Sequence, residues 1–329
     1  MRNALIIGAA GQDGRLLTAV LVRRGYAVRG WTKPESVSCA SFDWAAVDIL
    51  DAACVARELR LLQPDEIYYL AAFHHASEDA VEVSADELFR RSTDVHVSGL
   101  QNVLEAMKTQ CPRARLFYAA SSHVFGTPGG EWQDEQTPFK PESAYGISKA
   151  AGIACCRIHR QRDGLFAAAG ILFNHESPLR KPSFLSQKIV RGALQAERDP
   201  AYRMTLGDLE AAADWGYAPD YVEAMWYILQ LPEPDDFVVA SGEAHTVREF
   251  AQAAFGTLGL DWRRHVQTDA RLLHRASVPM RGDSTKLRAA TGWSPSLNFA
   301  ELVARLVSDA KAKPQTELDS TPKGAGCPK

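Results

Sequence analysis

The chain contains no apolar run approaching the ~18 residues that span a bilayer. Its six cysteines form no Cys-x-x-Cys pair and show no ligand spacing with histidine. Neither charge sign dominates, with 37 basic and 40 acidic residues giving a formal net charge of −3. These absences argue against a membrane span, a disulfide or structural-metal scaffold, and a nucleic-acid or membrane-surface partner. The sequence opens on Ala4-Leu5-Ile6-Ile7 and then glycines, without the h-region and small-residue cleavage site of a signal peptide. A reduced, cytoplasmic protein without a metal is expected, with adjacent Cys155 and Cys156 as packing residues.

What is present is an ordinary globular composition, 46% hydrophobic and 23% charged over 329 residues, enough for one large domain or two. Ala4–Ile7, Ala27–Trp31, Glu66–Ala71, Leu116–Ala120 and Leu165–Leu172 read as strands. Gly14–Arg24, Asp51–Leu62, Arg91–Thr109 and Tyr145–Arg162 read as helices between them. This alternation predicts an α/β fold, a Rossmann-type doubly wound parallel sheet covered on both faces. Beyond Asn174 prolines interrupt the pattern, and helices are expected near Leu185–Gln195, Asp220–Leu229, Val247–Leu258 and Phe299–Ala312. The expected division is a nucleotide-binding domain over 1–173 and a smaller α/β C-terminal substrate domain over 174–313, with room for the chain to cross between them. The tail, 314–329, is nearly devoid of apolar residues and reads as disordered.

Gly8-Ala9-Ala10-Gly11-Gln12-Asp13-Gly14 follows the first strand and opens the first helix. Glycines there let a pyrophosphate approach the backbone, and the helix N-terminus offers N–H groups and positive potential. The position predicts dinucleotide binding through Gly8, Gly11, Gln12, Asp13 and Gly14. The second strand ends Val28-Arg29-Gly30-Trp31-Thr32-Lys33, with no carboxylate until Glu35. An NAD site usually places an acid there for the ribose hydroxyls. Lys33 and Arg29 suit a 2′-phosphate, so NADP is favoured, with NAD as the alternative. Asp48 is a candidate acceptor for the adenine amine. The small residues of Leu70-Ala71-Ala72 would leave room for the cofactor.

Tyr145 and Lys149 are four apart, which stacks them on one helix face. An ammonium beside a phenol is expected to lower the tyrosine pKa and make Tyr145 an acid/base. Upstream, Ala119-Ala120-Ser121-Ser122-His123 reads as a strand end delivering hydroxyls and an imidazole to a loop. Ser121, Tyr145 and Lys149 together suit removal of a proton from an alcohol.

Several further blocks complete a pattern: Gln63-Pro64-Asp65-Glu66-Ile67-Tyr68, Gly170-Ile171-Leu172-Phe173-Asn174-His175-Glu176-Ser177-Pro178, Asp214-Trp215-Gly216-Tyr217-Ala218-Pro219-Asp220-Tyr221-Val222, Gly282-Asp283-Ser284-Thr285-Lys286 and Gly292-Trp293-Ser294-Pro295. With Gly11-Gln12-Asp13-Gly14, the chain resembles the extended short-chain dehydrogenase/reductase superfamily, most closely its GDP-mannose 4,6-dehydratase family, over residues 1 to about 310. The resemblance implies NADP in the N-terminal domain and a GDP-sugar against the C-terminal one. It also implies a homodimer through helices Arg91–Thr109 and Tyr145–Arg162, with a homotetramer as the alternative. Ser121, His123, Tyr145 and Lys149 would be catalytic. Tyr145, Lys149, Leu172 and His175 would meet the cofactor, with His175 by the nicotinamide. His75, Ser122, Asn174, Lys188 and Arg275 would meet the substrate.

The chain departs from the family at informative places. Ser121 stands for a threonine and His123 for a glutamate. Leu179 and Ala213 stand for arginines, though Arg180 follows Leu179. The loop after the second strand is only Lys33-Pro34-Glu35-Ser36. Three readings follow: a GDP-hexose or GDP-heptose dehydratase with His123 as the C5 base, a GDP-sugar C4 epimerase or 4-keto reductase that needs none, and a non-catalytic NADP-sensing protein. Retention of Ser121, Tyr145 and Lys149 together argues against the last.

Overall fold

The computed structural model describes residues 1–33, 43–73, 83–127, 130–269 and 279–312. The disordered tail expected over 314–329 lies outside them.

The expected parallel strands are present. They are β1 (Asn3–Ile7), β2 (Ala27–Thr32), β4 (Glu66–Tyr69), β5 (Arg115–Ala119) and β6 (Phe166–Leu172), joined by two strands outside the expectation, the short edge strand β3 (Trp44–Ala46) and, late in the chain, β10 (Asp236–Val239). They form one seven-stranded parallel sheet in the order β10-β6-β5-β4-β1-β2-β3. The order reverses between β1 and β4, the place where doubly wound sheets open a crevice for a ligand.

Alternation along each strand feeds two cores. Leu5, Ile7, Ile67, Tyr69, Leu116 and Tyr118 point to the face covered by α2 (Ala52–Leu62), α4 (Gly99–Gln110) and α5 (Ala144–Asp163). Ala4, Ile6, Tyr68 and Phe117 point to the face covered by α1 (Gln12–Arg23) and α7 (Ala218–Gln230). Burial on both faces explains why these strands read as continuous apolar runs.

The single helix expected over Arg91–Thr109 is a composite. It begins earlier as α3 (Ala85–Thr93), passes through a π-helical turn at Asp94–Ser98 and continues as α4. The turn's carbonyls are taken by tyrosines of the sheet: Tyr69 donates to Val95 O and Tyr118 to His96 O.

A smaller unit follows β7 (Asn174–Glu176), with α6 (Leu185–Arg198), β8 (Met204–Leu206), β9 (Ala212–Tyr217), β11 (Ala244–Thr246), α8 (Val247–Thr257), β12 (Val266–Thr268) and α10 (Phe299–Lys311). Here β9 is sandwiched between β7 and β11, while β8 pairs with β12. Its core gathers Ile189, Trp215, Phe250, Phe255 and Leu306. The chain returns to the large sheet with α7, β10 and α9 (Thr285–Thr291), whose Leu287 joins the core under α7. No helix among the described residues is long and apolar enough to cross a membrane.

Candidate active site

The site forms where the C-terminal ends of β1, β4, β5 and β6 meet the smaller unit. After β5, Ser121 is extended and its Oγ accepts from His123 N at 3.3 Å, closing a 3₁₀ turn over Ser122–Phe125. The Oγ of Ser143 accepts from Gly146 N at 3.1 Å and starts α5. A Cβ on Gly146 would stand 2.5 Å from the carbonyl oxygen of His123. Glycine in Tyr145-Gly146-Ile147-Ser148-Lys149 is therefore what lets the two turns touch. Tyr145 is hydrogen-bonded to Ser121, and its ring lies edge-on to His123 with centroids 5.5 Å apart.

Lys149 is buried, donates from Nζ to Ala119 O at 2.6 Å, and lies 5.6 Å from the centre of the Tyr145 ring. Burial pushes its pKa down to about 7. Burial also pushes Tyr145 up to about 12, against the positive charge of Arg180 and the Ser121 hydrogen bond, and Asp13 adds to the rise. This corrects the expectation that Lys149 lowers the tyrosine pKa. In the protein alone desolvation of the phenolate wins, and the opposing cation is Arg180.

A cleft of about 330 Å³ opens beside this pair, lined by His123, Asn174, Glu176, Arg180, Trp215 and the alanines Ala211, Ala212 and Ala213 among others. His123 keeps an exposed ring in this crowded cleft, and desolvation there pushes its pKa down. The imidazole is thus neutral near pH 7 and able to accept a proton. Arg180 lies over the Phe184 ring at 3.9 Å, and its Nε is buried without a hydrogen-bond partner. Glu176 is buried and accepts from Ser186 Oγ at 2.5 Å.

The glycine turn fits a dinucleotide. Gly8 has φ +92°, and a Cβ there would stand 2.7 Å from Ala71 N; at Gly14 it would stand 2.6 Å from Gly8 O. Gly11 caps α1 with no side chain, so the first N–H groups of that helix face the crevice without a side-chain acceptor. Lys33 and Asp48 lie exposed just beyond β2 and β3, at the same end of the sheet as Leu70, Ala71 and Ala72. Asp48 Oδ1 accepts from Leu50 N. Arg29, one of two cations suited to a 2′-phosphate, is instead ion-paired to Asp43.

Leu172, at the end of β6, is buried in the core under α1 and α7, and His175 follows on β7. His175 Nδ1 faces Phe173 O at 2.7 Å and Nε2 faces Asp13 Oδ2 at 3.0 Å. Both ring nitrogens face acceptors, so the ring is held as an imidazolium. Burial opposes this charge, but Asp13 outweighs it and raises the His175 pKa. Burial alone would raise Asp13 too; the His175 charge and hydrogen bond, with Gln12 and Arg180, hold it at about 2. Gln12 adds a bond from Nε2 to His175 O and accepts from Ser177 Oγ at 2.8 Å. The Asn-His-Glu-Ser block is thereby laced to the glycine turn.

The structure therefore brings Ser121, His123, Tyr145, Lys149, Asn174 and His175 to one region. Of these, His123 and Asn174 line the cleft itself, whereas Ser121, Tyr145, Lys149 and His175, like the buried Ser122, are not among its lining residues. Lys188 is half-buried on α6, one turn from the lining residues Phe184 and Leu185, and also stands outside the lining. His75 and Arg275 fall outside the described residues. Arg180 and Glu176 line the cleft without belonging to the expected site residues. The signal for Arg180 was its place one position after the family's arginine. His96, edge-on to Tyr145 with centroids 5.2 Å apart, carried no signal, because only the fold brings the two together.

A reversed-order parallel sheet, a glycine turn at its first helix and a Ser–Tyr–Lys set with the serine and lysine buried define an enzyme of the extended short-chain dehydrogenase/reductase class. The model of the GDP-mannose 4,6 dehydratase family matches residues 5–306, and the chain belongs to that family. It is 38% identical over 327 residues to GDP-mannose 4,6 dehydratase 2 of Arabidopsis thaliana, covering 93% of this chain and 86% of the relative. Among solved structures it resembles UDP-glucose 4-epimerase of Thermus thermophilus in complex with NAD, with a TM-score of 0.79, 25% identity, and 94% and 99% of the two chains covered. It also shares the fold of RMD from Pseudomonas aeruginosa complexed with NADPH, with a TM-score of 0.75, 21% identity, and 95% and 100% covered.

Proposed function

We propose that this protein dehydrates GDP-mannose or a related GDP-hexose or GDP-heptose across C5 and C6 after oxidation at C4, with NADP as cofactor. The observation that carries this reading is His123, on the wall of the cleft and 5.5 Å from Tyr145 between ring centroids. The family relatives named as GDP-mannose 4,6 dehydratases support the substrate class. Lys33 and the absence of a carboxylate before Glu35 support a 2′-phosphate, while structural neighbours hold either NAD or NADPH.

The dinucleotide, when bound, supplies hydride acceptance and return at the sugar. Gly8, Gly11 and Gly14 would admit its pyrophosphate to the N-terminus of α1, and Lys33 and Asp48 would face its adenosine end. Tyr145, a neutral phenol at pH 7 in the protein alone, first gives up its own proton to solvent; as the phenolate, held by Ser121 and beside Lys149, it takes the proton from the O4 hydroxyl. The resulting C4 ketone acidifies the C5 proton. Neutral His123 removes that proton, and the imidazolium so formed protonates the departing 6-hydroxyl as water; return of the hydride to C6 and a solvent-derived proton to C5 would then complete the 6-deoxy-4-keto sugar. Arg180 and Asn174 suit the sugar diphosphate. The helices α4 and α5 are the proposed homodimer face, α5 presenting Ile147 and Ile158 to solvent; light scattering at twice the chain mass is the expected result.

Incubation with GDP-mannose in deuterated water tests the reading. A product lighter by one water, with deuterium incorporated and no net cofactor turnover, is expected. His123→Ala should abolish water loss while still oxidising C4. Equal dehydration by that variant removes His123 from the mechanism. The second reading, a C4 epimerase or 4-keto reductase, is favoured by the absence of a carboxylate at position 123. It calls for an isobaric product or stoichiometric NADPH oxidation.

A further inference from the structure

His96 is fully buried in the π-helical turn between α3 and α4, outside every motif that defines the site. Three of its contacts tie the segment after β4 to α5 and to Tyr145. Nε2 accepts from the backbone N–H of Phe73 at 3.0 Å. Nδ1 lies 2.8 Å from Ser148 Oγ, on the residue before Lys149. The ring stands at 89° to that of Tyr145, with centroids 5.2 Å apart.

The protonation state follows from these contacts. A nitrogen that accepts from a backbone N–H carries no proton, so Nε2 is bare. The Ser148 hydroxyl donates to Tyr145 O at 2.9 Å, so its oxygen is free to accept from Nδ1–H. A neutral Nδ1–H imidazole satisfies both Phe73 N–H and Ser148 Oγ, whereas a proton on Nε2 would set two hydrogens face to face with Phe73 N–H.

We infer that His96 is a positioning residue for the oxidation step. It ties the segment after β4, where Gly8 packs on Ala71, to the first turn of α5, and wedges the Tyr145 ring between itself and His123. Phe73 ends the stretch whose Leu70, Ala71 and Ala72 face the glycine turn, and Ser148 adjoins Lys149. One imidazole therefore sets the distance between the dinucleotide-facing backbone and the Tyr145 hydroxyl. The π-helical turn is what brings it there: the turn widens the helix at Asp94–Ser98, and Tyr69 and Tyr118 take the carbonyls of Val95 and His96. Wide turns of this kind recur at functional sites.

This inference rests on the C4-oxidation reading above, and the assay separates the two. Single-turnover reduction of the nicotinamide by GDP-mannose is followed in the wild type, His96→Leu, His96→Asn and Ser148→Ala. His96→Leu keeps the volume and loses both bonds. Its rate should fall on the order of 10²-fold, the scale of a 1 Å misplacement, while KM for GDP-mannose and dinucleotide affinity change less than about 3-fold. His96→Asn restores a donor toward Ser148 and should recover part of the rate. The pH profile of the oxidation should shift in His96→Leu, because Tyr145 has lost its neighbour; a purely structural defect lowers the profile without moving its limbs. If His96→Leu does not fold, Ser148→Ala breaks only the Nδ1 bond and should still slow oxidation about 10-fold. No turnover by the wild type sinks the functional reading. An active wild type with unimpaired His96→Leu, or with unimpaired Ser148→Ala where the leucine variant fails to fold, overturns the role of His96.

Discussion

Lys149 Nζ donates to the carbonyl oxygen of Ala119 across 2.6 Å, a bond made inside the protein rather than toward the phenol of Tyr145. The lysine is 2% exposed. Its ammonium has been taken out of water with a single neutral acceptor, which is why burial brings its pKa from 10.5 to about 7.

Between pH 7 and 10.5 the unfolded chain holds a proton on Lys149 that the folded chain lacks. Stability from this site therefore rises with pH across that window, and the cost of burial is present in full below it. Lys149→Met should raise the melting temperature of the protein without dinucleotide, most at or below pH 7, with the advantage fading toward pH 10.5. The gain is on the order of a few kcal/mol at most. The same variant should lose at least ~10²-fold in C4 oxidation. A lower melting temperature at pH 7 would contradict the account.

The Asp13–His175 pair gives a second pH dependence, with opposite signs for its two members. Asp13 is depressed to about 2, so its contribution is present above its ordinary value of 3.8 and is lost as pH falls through 2. His175 is raised above 6.5, so its contribution is complete below 6.5 and is lost as pH rises through the folded value. The clasp is strongest between roughly pH 4 and 6.5. His175→Gln should flatten the alkaline fall in melting temperature and weaken dinucleotide binding. An alkaline fall unchanged in that variant would place its origin elsewhere.

Gly8 and Gly259 separate backbone strain from cofactor access. Both have positive φ, +92° and +71°, but a Cβ at Gly259 meets nothing within 4 Å. Each alanine variant should lose about 1 kcal/mol or more in stability. Only Gly8→Ala should also lose dinucleotide affinity, because its Cβ pushes on Ala71, which the proposed dinucleotide would meet. Titration calorimetry with NADP and NAD on both variants is the measurement, and equal affinities would show that Gly8 does not shape the cradle.

The large sheet was legible because both of its faces are buried. Leu5 and Ile6 face opposite cores yet both are apolar, so β1 reads as one run bounded by a glycine turn. β10 was not legible. Asp236–Val239 is four residues long, follows Pro232 and Pro234, and is recruited to the sheet by pairing with β6 rather than by any local signal. The break in the helix expected over Arg91–Thr109 was equally hidden, since the partners of its freed carbonyls, Tyr69 and Tyr118, come from strands far away in the chain.

The sequence alone determined the class of chemistry. The glycine turn, Ser121, Tyr145 and Lys149 are defined by short spacings, and local geometry places such residues the same way wherever they occur. Tertiary structure decided how those groups behave. Desolvation sets Lys149 and Tyr145, and a cross-chain ion pair sets His175. Arg180 is the opposing charge, and His96 reaches Tyr145 through a π-helical turn. Each of these depends on distances between residues remote in sequence, and a pKa or a ring contact exists only once folding has excluded water and fixed those distances.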